Sequence, residues 1–226
     1  MQPFRSVTSV AAPLPEADLD TDIIFPARFL LLLDREGLGR HLFHERRHKA
    51  DAPPFVLDRP PFDRARILVT GRNFGGGSSR EQAVWALADF GIRVVLAESF
   101  GEIFHANCFR NGVLPIVLPA EDQARAMAAA GTGAPMTVDL ESETIALPDG
   151  AILRFAIDPY RRRALLAGLD EIGAILADDA AAIDAFEARQ RRTAPWLHLA
   201  RDRLAFFDDL NRAPDGAEPE SRAEAG

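Results

Sequence analysis

The sequence predicts an α/β fold in which strands pair in parallel through helical crossovers. Three apolar runs have strand length: Ile67 to Val69, Arg93 to Ala97, and Val113 to Leu118. The stretches between and after them have helical patterns, and they span 83–90, 100–110 and 120–130. Strands that alternate with helices indicate a parallel sheet whose faces are covered by the helices.

The flanking segments complete the predicted order of elements. Residues 1–15 predict an extended lead-in, and the turn Pro148 to Gly150 predicts a hairpin of strands 136–140 and 151–155. Residues 158–190 have a helical pattern, and apolar residues recur at helical intervals from Trp196 to Leu210. The last residues are small, acidic and proline-containing, which predicts disorder. We therefore expect a domain over 1–196 and a C-terminal extension over 197–226, an amphipathic helix followed by a disordered acidic tail.

Composition limits the classes of function. The chain of 226 residues has a formal net charge of −8, which argues against nucleic acid as a partner. No apolar run is long enough to cross a bilayer, and Pro13 and Pro15 interrupt the only N-terminal apolar stretch, so we expect a cytoplasmic protein with no membrane partner. Cys108 is the only cysteine, which excludes an internal disulfide and a cysteine-based metal site in this chain.

A glycine-rich loop separates the first predicted strand from its helix. In Thr70 to Glu81, Ser78 and Glu81 have the spacing of a capping box, which predicts Ser78 at the helix N-cap with Ser79 and Arg80 in the first turn. Amide groups and the helix dipole favour an anion there. Gly75, Gly76 and Gly77 would let a ligand approach the bare backbone.

The loop matches neither common nucleotide motif. Gly77 stands where a phosphate-binding P-loop needs lysine, and the residues after Gly71 do not supply the dinucleotide fingerprint. Arg80 offers a planar fork suited to a carboxylate, so a small carboxylate is the better ligand. On the loop alone, a purely structural glycine turn that begins a helix stays open as the alternative.

Two further polar clusters could bind ions. Asp18, Asp20 and Asp22 alternate as calcium ligands do, but the glycine and distal glutamate of a calcium loop are missing, so we expect them to cap backbone or brace an arginine. His41, His44 and His48 would share one face of a helix and could bind a metal. The arginines between them favour a solvated basic helix instead.

Four ordered stretches carry a resemblance to a known family. They are Asp20 to Leu30, Gly71 to Glu81, Ser99 to Gly112, and Leu169 to Gly173. From about Phe4 to about Trp196, the chain resembles the small subunits of 3-isopropylmalate dehydratase (isopropylmalate isomerase), in the aconitase superfamily. This resemblance implies the swivelling β/β/α domain of that superfamily, with a C-terminal helical extension here. It also implies half an enzyme, whose large-subunit partner carries a [4Fe–4S] cluster. A single cysteine agrees with that division.

The resemblance also implies a reaction and the residues that perform it. The reaction would be hydro-lyase chemistry that interconverts 2- and 3-isopropylmalate through 2-isopropylmaleate in leucine biosynthesis. By position, Ser78 matches the serine base of aconitase, and Ser79 and Arg80 match its substrate-binding neighbours. Arg35 lies about where a second substrate arginine occurs, in the loop Asp34 to Arg40 that corresponds to the region choosing the substrate's side group.

Two positions depart from the family pattern. The family usually has cysteine where Gly76 stands and histidine where Gln82 stands. These departures leave open a related hydro-lyase subunit acting on citramalate, 2,3-dimethylmalate or homocitrate. A domain of another class, which binds an anion without catalysis, is the second alternative, because this chain alone lacks a complete set of acid, base and metal.

Overall fold

The structure is a computed structural model that describes residues 1–32 and 34–197. The strands form one mixed sheet in the order β4-β3-β2-β1-β5-β6-β7. They are β1 (Ser6–Leu14), β2 (Ile67–Thr70), β3 (Val94–Ala97), β4 (Leu114–Val117), β5 (Pro135–Asp139), β6 (Thr144–Ala146) and β7 (Ile152–Arg154). The α-helices are α1 (Thr21–Ile24), α2 (His44–Arg47), α3 (Gln82–Phe90), α4 (Glu102–Arg110), α5 (Ala120–Gly131), α6 (Pro159–Ala167) and α7 (Glu171–Thr193).

The parallel half of the sheet confirms the predicted α/β core. Strands β1 to β4 pair in parallel, with Ile67 opposite Val94 and Val94 opposite Leu114. Every residue of β2 and β3 is buried. A strand with both faces covered has no reason to alternate apolar and polar residues, which is why these short runs were recognisable in the sequence.

The N-terminal segment is extended, as predicted, but it is a central strand of the sheet rather than a lead-in. Strand β1 pairs in parallel with β2 and antiparallel with β5, and thus joins the two halves of the sheet. Its buried positions include the small residues Ala11 and Ala12, which belong to different apolar clusters, and Pro13 pairs with Val69 inside the sheet. Proline is normally confined to sheet edges, so the sequence pattern concealed a central strand.

The predicted hairpin was also incomplete. The turn at Pro148 to Gly150 joins β6 to β7, whereas β5 pairs with β6, so the antiparallel half has three strands rather than two. The missed strand β6 is only three residues long, and its centre, Ile145, is its one buried position. So short a segment gives no period that could be read from the sequence.

The helical pattern over 158–190 contains two helices. Helix α6 ends at Ala167 and is capped by Gly168, which has a φ of +70°, and α7 begins at Glu171. A Cβ at Gly168 would lie 2.8 Å from the Met1 carbonyl oxygen, so close packing against the N-terminus also favours glycine. The chain forms two compact units, Met1–Ala174 and Ile175–Gly226. Except for Leu197, the predicted extension over 197–226 lies outside the described residues, and its organisation stays a prediction.

Two apolar clusters within the first unit hold the elements in place. One contains Phe25, Phe43, Phe74 and Phe104, all at most 1% exposed, and it also includes Val84 and Leu87 of α3. The other cluster includes buried residues of α5 and of the antiparallel strands. Because the first cluster surrounds Phe74, it anchors the glycine-rich loop beside α1 and α4. None of the described helices combines the length and apolar character needed to cross a membrane.

Candidate active site

The glycine-rich loop runs alongside the segment that leads into α1. The Gly75 amide donates to the Leu19 carbonyl at 2.7 Å, and the Thr21 amide donates to the Gly76 carbonyl at 3.0 Å. The Phe74 amide donates to the Ser99 carbonyl at 3.1 Å on the other side. The loop therefore behaves as a short extra strand between two segments that are far apart in the sequence.

Gly75 is required by packing as well as by backbone conformation. Its φ is +74°, a region that side chains disfavour, and a Cβ there would lie 2.2 Å from Cγ of the buried Phe104. Gly77 also has a positive φ, of +91°, and is exposed. All three loop glycines are predicted from the sequence to let a ligand approach the backbone. The structure gives Gly75 a different role, namely room for the Phe104 ring.

The predicted capping box at Ser78 does not form. Helix α3 begins at Gln82, and its N-cap is Glu81, which makes no side-chain capping hydrogen bond. The Glu81 carboxylate instead accepts from Asn111 Nδ2 at 2.8 Å, beyond the C-terminal end of α4. This competing partner draws the glutamate away from Ser78. The positive end of the α3 dipole therefore begins after Arg80, and Ser79 and Arg80 lie in the loop rather than in the first turn.

Ser78 is held by a neighbour that the sequence analysis did not single out. Its Oγ lies 2.6 Å from Thr21 Oγ1, a distance at the short end of the range for hydroxyl pairs. Thr21 is 1% exposed, whereas Ser78 is only partly buried. A buried hydroxyl needs a hydrogen-bond partner, and Ser78 is that partner for Thr21. Thr21 thus fixes the orientation of the Ser78 hydroxyl at the opening of the loop.

Arg80 is held in the same way by the next residue of α1. Its guanidinium forms an ion pair with Asp22, and the arginine side chain is 21% exposed. Two consecutive residues, Thr21 and Asp22, therefore hold Ser78 and Arg80, two of the three loop side chains that the family resemblance implicates in the reaction. Ser79, between them, is exposed and has no hydrogen-bond partner among the described residues.

The aspartates before and within α1 brace the loop, which confirms the role predicted for them. Asp20 caps α1 by accepting from the Ile23 amide at 2.8 Å. Asp18 accepts from Asn73 Nδ2 at 2.9 Å. Together with the pairing of Asp22, these contacts give each of the three carboxylates a structural partner.

Arg35 lies beside the start of α3 and does not contact Ser78. Its guanidinium stacks over the Trp85 ring at 4.3 Å from the ring centroid. It lines a cavity of about 270 Å³ whose other walls include Glu81 and Asn111. The structure therefore places the predicted second arginine at the far end of the loop, where α3 begins.

The histidine-rich segment is an aromatic cluster rather than a solvated basic helix. His41 stacks on Phe29 with ring centroids 4.1 Å apart, and His44 stacks on His48 at the same separation. Helix α2 is only one turn long, so the three histidines do not share a helix. Burial is the main cause that lowers the pKa of both His41 and His44. Across residues 1–32 and 34–197, no group of three acidic, histidine or cysteine side chains is arranged to hold a metal ion.

Comparison with known proteins identifies the family. The model of the aconitase C-terminal domain matches residues 1–121, LeuD_N matches 122–159, and the model of the C-terminal domain of 3-isopropylmalate dehydratase small subunits matches 178–200. A 3-isopropylmalate dehydratase small subunit from Dinoroseobacter shibae is 50% identical over 202 residues, which cover 87% of this chain and all of that protein. The chain belongs to the family of 3-isopropylmalate dehydratase small subunits.

Other relatives support the same family assignment. A small subunit of 3-isopropylmalate dehydratase from Gluconacetobacter diazotrophicus is 52% identical over 201 residues, covering 87% of this chain and 97% of that protein. The crystal structure of a 3-isopropylmalate dehydratase from Methanocaldococcus jannaschii matches the fold with a TM-score of 0.62 at 25% identity, over 80% of this chain and 99% of that chain. These findings confirm the predicted family, the aconitase-type α/β fold and the function as a hydro-lyase subunit. The name of a small subunit also implies a large-subunit partner.

The side chains of this family member do not suit an iron–sulfur cluster. Such clusters are held by several cysteine thiolates, and the sequence has one cysteine. Cys108 is completely buried in the core, and burial raises its pKa well above the ordinary value, which disfavours the thiolate needed for ligation. A cluster in the assembled dehydratase would therefore need ligands from another chain.

Gly76, one departure from the usual family sequence, lies in a tight but not closed space. A Cβ at this position would come 3.2 Å from Asn73 Oδ1, and no positive φ forbids a side chain. Asn73 itself has a φ of +53° and is fixed by Asp18 and Ser99. A larger residue at this position would therefore have to shift the Asn73 side chain by a few tenths of an ångström.

Proposed function

We propose that this chain is the substrate-holding half of a 3-isopropylmalate dehydratase. The complete enzyme would interconvert 2- and 3-isopropylmalate through 2-isopropylmaleate, a step of leucine biosynthesis. The large subunit would carry the [4Fe–4S] cluster, since the small subunit has no ligand set for one. This chain would supply Ser78 as general base and Arg80, Ser79 and Arg35 as substrate contacts.

One observation carries the assignment of Ser78 and Arg80. Consecutive residues of α1 hold both side chains: Thr21 contacts Ser78 Oγ at 2.6 Å, and Asp22 pairs with Arg80. A loop that served only to begin α3 would not need a buried threonine and a carboxylate to orient side chains outside the helix. Rigid support from a neighbouring element is what a reacting group requires, because small displacements cost rate.

Ser78 would remove a proton from the carbon next to the one that bears the hydroxyl. A serine hydroxyl is a weak base unless its alkoxide is stabilised. The Thr21 hydroxyl can donate to that alkoxide, and hydrogen bonds to charged oxygens are about twice as strong as neutral ones. This replaces the helix-dipole stabilisation expected from the sequence, since Ser78 is not at the N-cap of α3.

Arg80 would bind one substrate carboxylate through its guanidinium fork. Its pairing with Asp22 uses part of that fork and balances the charge until substrate enters. The remaining N–H groups stay available to a carboxylate, whose two oxygens match the fork. Ser79 is exposed beside them and could donate a further hydrogen bond. Arg35 would contact a more distant part of the substrate from its position over Trp85.

Turnover of 2-isopropylmaleate, followed by its ultraviolet absorbance, tests this proposal. The assay compares three samples: this chain by itself, the large subunit by itself after anaerobic reconstitution of its cluster, and the two subunits mixed. We expect activity only in the mixture, and its loss with Ser78→Ala while the two subunits still associate. Near-normal turnover by the Ser78→Ala complex would refute the assignment of the base.

The choice of substrate is tested in the same assay. Gly76 and Gln82 depart from the pattern that the sequence otherwise resembles, so the mixture is also supplied with citramalate, 2,3-dimethylmalate and homocitrate. A clear preference for one of these over isopropylmalate would assign the chain to that related hydro-lyase. A mixture with an intact cluster and a formed complex but no turnover of any of them would favour an anion-binding domain without catalysis.

A further inference from the structure

A second cleft lies between α4 and α6, away from the contacts that hold Ser78. Its volume is about 170 Å³, and its apolar wall is formed by Ala106, Phe109, Ala164 and Leu169. A dry cavity of about 150 Å³ is large enough to bind benzene. The cleft therefore has room for an alkyl group of about that size. All of its lining residues belong to the unit Met1–Ala174.

The positively charged side chain of Arg161 lies at the edge of this apolar wall. The Arg161 guanidinium stacks on the Phe109 ring, 4.5 Å from its centroid, and its Nη1 lies 3.3 Å from His105 Nδ1. Among the described residues, no carboxylate lies within ion-pair distance of the Arg161 side chain, although many other arginines of the chain have such a partner. The exposed Tyr160 lines the same cleft, and its hydroxyl can offer a further hydrogen bond to a bound anion.

His105 directs the arginine toward the cleft rather than neutralising it. Burial, and then the charge of Arg161, lower the pKa of His105 below its ordinary value, so the imidazole is neutral at pH 7. A neutral imidazole can accept one hydrogen bond from the guanidinium and adds no negative charge. The other N–H groups of Arg161 are left for an acceptor that enters from solvent.

We propose that the cleft between α4 and α6 binds a small monocarboxylate that carries a short alkyl group. Arg161 holds the carboxylate in its fork, and the alkyl group lies against Ala106, Ala164 and Leu169. The charge of the arginine selects an anion over a neutral molecule of the same shape, and the apolar wall selects an alkyl chain over a smaller anion. No residue of the loop that carries Ser78 and Arg80 lines this cleft, although Arg110 lines both the cleft and the cavity beside Arg35. The proposal does not depend on the function proposed for that loop.

Isothermal titration of the full-length chain with 4-methylpentanoate tests the site. We expect one binding site, and binding at least about tenfold weaker for 4-methylpentan-1-ol, which lacks the charge, and for acetate, which lacks the alkyl chain. No heat from 4-methylpentanoate, or equal affinity for the alcohol, would overturn the proposal.

Four variants locate the binding, each checked for native circular dichroism before titration. Arg161→Gln should weaken binding at least about tenfold, and Ala164→Leu should abolish it by filling the cleft. Arg154→Gln makes the same charge change on the exposed face of β7 and should bind as the wild type does. Arg80→Gln should also leave binding unchanged. Unaltered affinity in Arg161→Gln, or loss in Arg80→Gln or Arg154→Gln, would contradict the site.

Discussion

Replacing Thr21 by valine separates positioning of Ser78 from stability of the fold. Valine keeps the branched shape of a side chain that is 1% exposed, and removes only the hydroxyl that contacts Ser78 Oγ at 2.6 Å. Loss of one neutral hydrogen bond costs about 0.5–1.5 kcal/mol of unfolding free energy. For a chain of this size, such a loss lowers the melting temperature by roughly 1–6 °C.

The expected loss of activity is larger than this stability change implies. A hydrogen bond to a charged oxygen contributes about 1.5–3 kcal/mol, so withdrawing it from a Ser78 alkoxide should lower kcat roughly 10- to 150-fold. The assay is turnover of 2-isopropylmaleate by the reconstituted complex at saturating substrate. Thr8→Val is the matched control, because the Thr8 hydroxyl pairs with Thr137 at 2.9 Å on an exposed part of β1.

A double variant makes this test sharper. If Thr21 acts only through Ser78, adding Thr21→Val to Ser78→Ala should cost no further activity, since the group that it orients is already absent. Full kcat in Thr21→Val, with a melting temperature lowered as expected, would refute the positioning argument. An equal loss of kcat in Thr8→Val would show a general effect of weakened folding instead.

Three further outcomes follow from contacts near the loop. Arg80→Lys keeps the charge beside Asp22 but loses the fork, so KM for isopropylmalate should rise about tenfold in steady-state assays. Gly75→Ala should lower the unfolding free energy in urea by about 2–5 kcal/mol, because φ is +74° and the new Cβ meets Phe104. Since the folded state lowers the pKa of His105, the unfolded state takes up its proton first as pH falls. Stability should therefore decrease below about pH 6.5, and His105→Gln should reduce that decrease.

Matched controls accompany Arg80→Lys and Gly75→Ala. Arg28→Lys alters an exposed ion pair with Glu45 and should leave KM unchanged. Gly131→Ala places a Cβ in open space at the end of α5 without a positive φ, so it should be neutral or stabilise by up to about 1 kcal/mol. A Gly75→Ala protein as stable as the wild type, or a His105→Gln protein with the same loss of stability between pH 7 and pH 5, would contradict the packing and burial described for those residues.

The sequence revealed the parallel strands because their chemistry allows few alternatives. Strands β2 and β3 are short, mostly apolar runs with both faces buried. A short apolar run bounded by a glycine loop or a helix is typical of a buried parallel strand, so the sequence alone predicts it. Strand β1 was concealed because small residues and Pro13 make it resemble a loop, and its role is decided by partners far along the chain. Whether these residues form a strand therefore depends on tertiary pairing rather than on their local sequence.

The residues proposed for the site come from the family pattern, and their local geometry could not be predicted from the sequence. Position in the family pattern pointed to Ser78 and Arg80, and the structure gives both a supporting partner in α1. The capping box failed because Glu81 has a competing partner in Asn111, thirty residues away, which no local spacing reveals. The same holds for Thr21, whose importance arises only when the loop folds back along the segment before α1.

Strand β1 also sets an order for folding during synthesis. One edge of β1 pairs with β2, and among the described strands only β5 pairs with the other edge. Thr137 of β5, whose hydroxyl pairs with that of Thr8, lies 129 residues further along the chain. Until that part of the chain leaves the ribosome, β1 can pair on one side alone and presents an unpaired edge rich in valine, alanine and serine. Such an edge is a template for contacts with other chains, so the nascent protein is most vulnerable to aggregation between the emergence of β2 and that of β5.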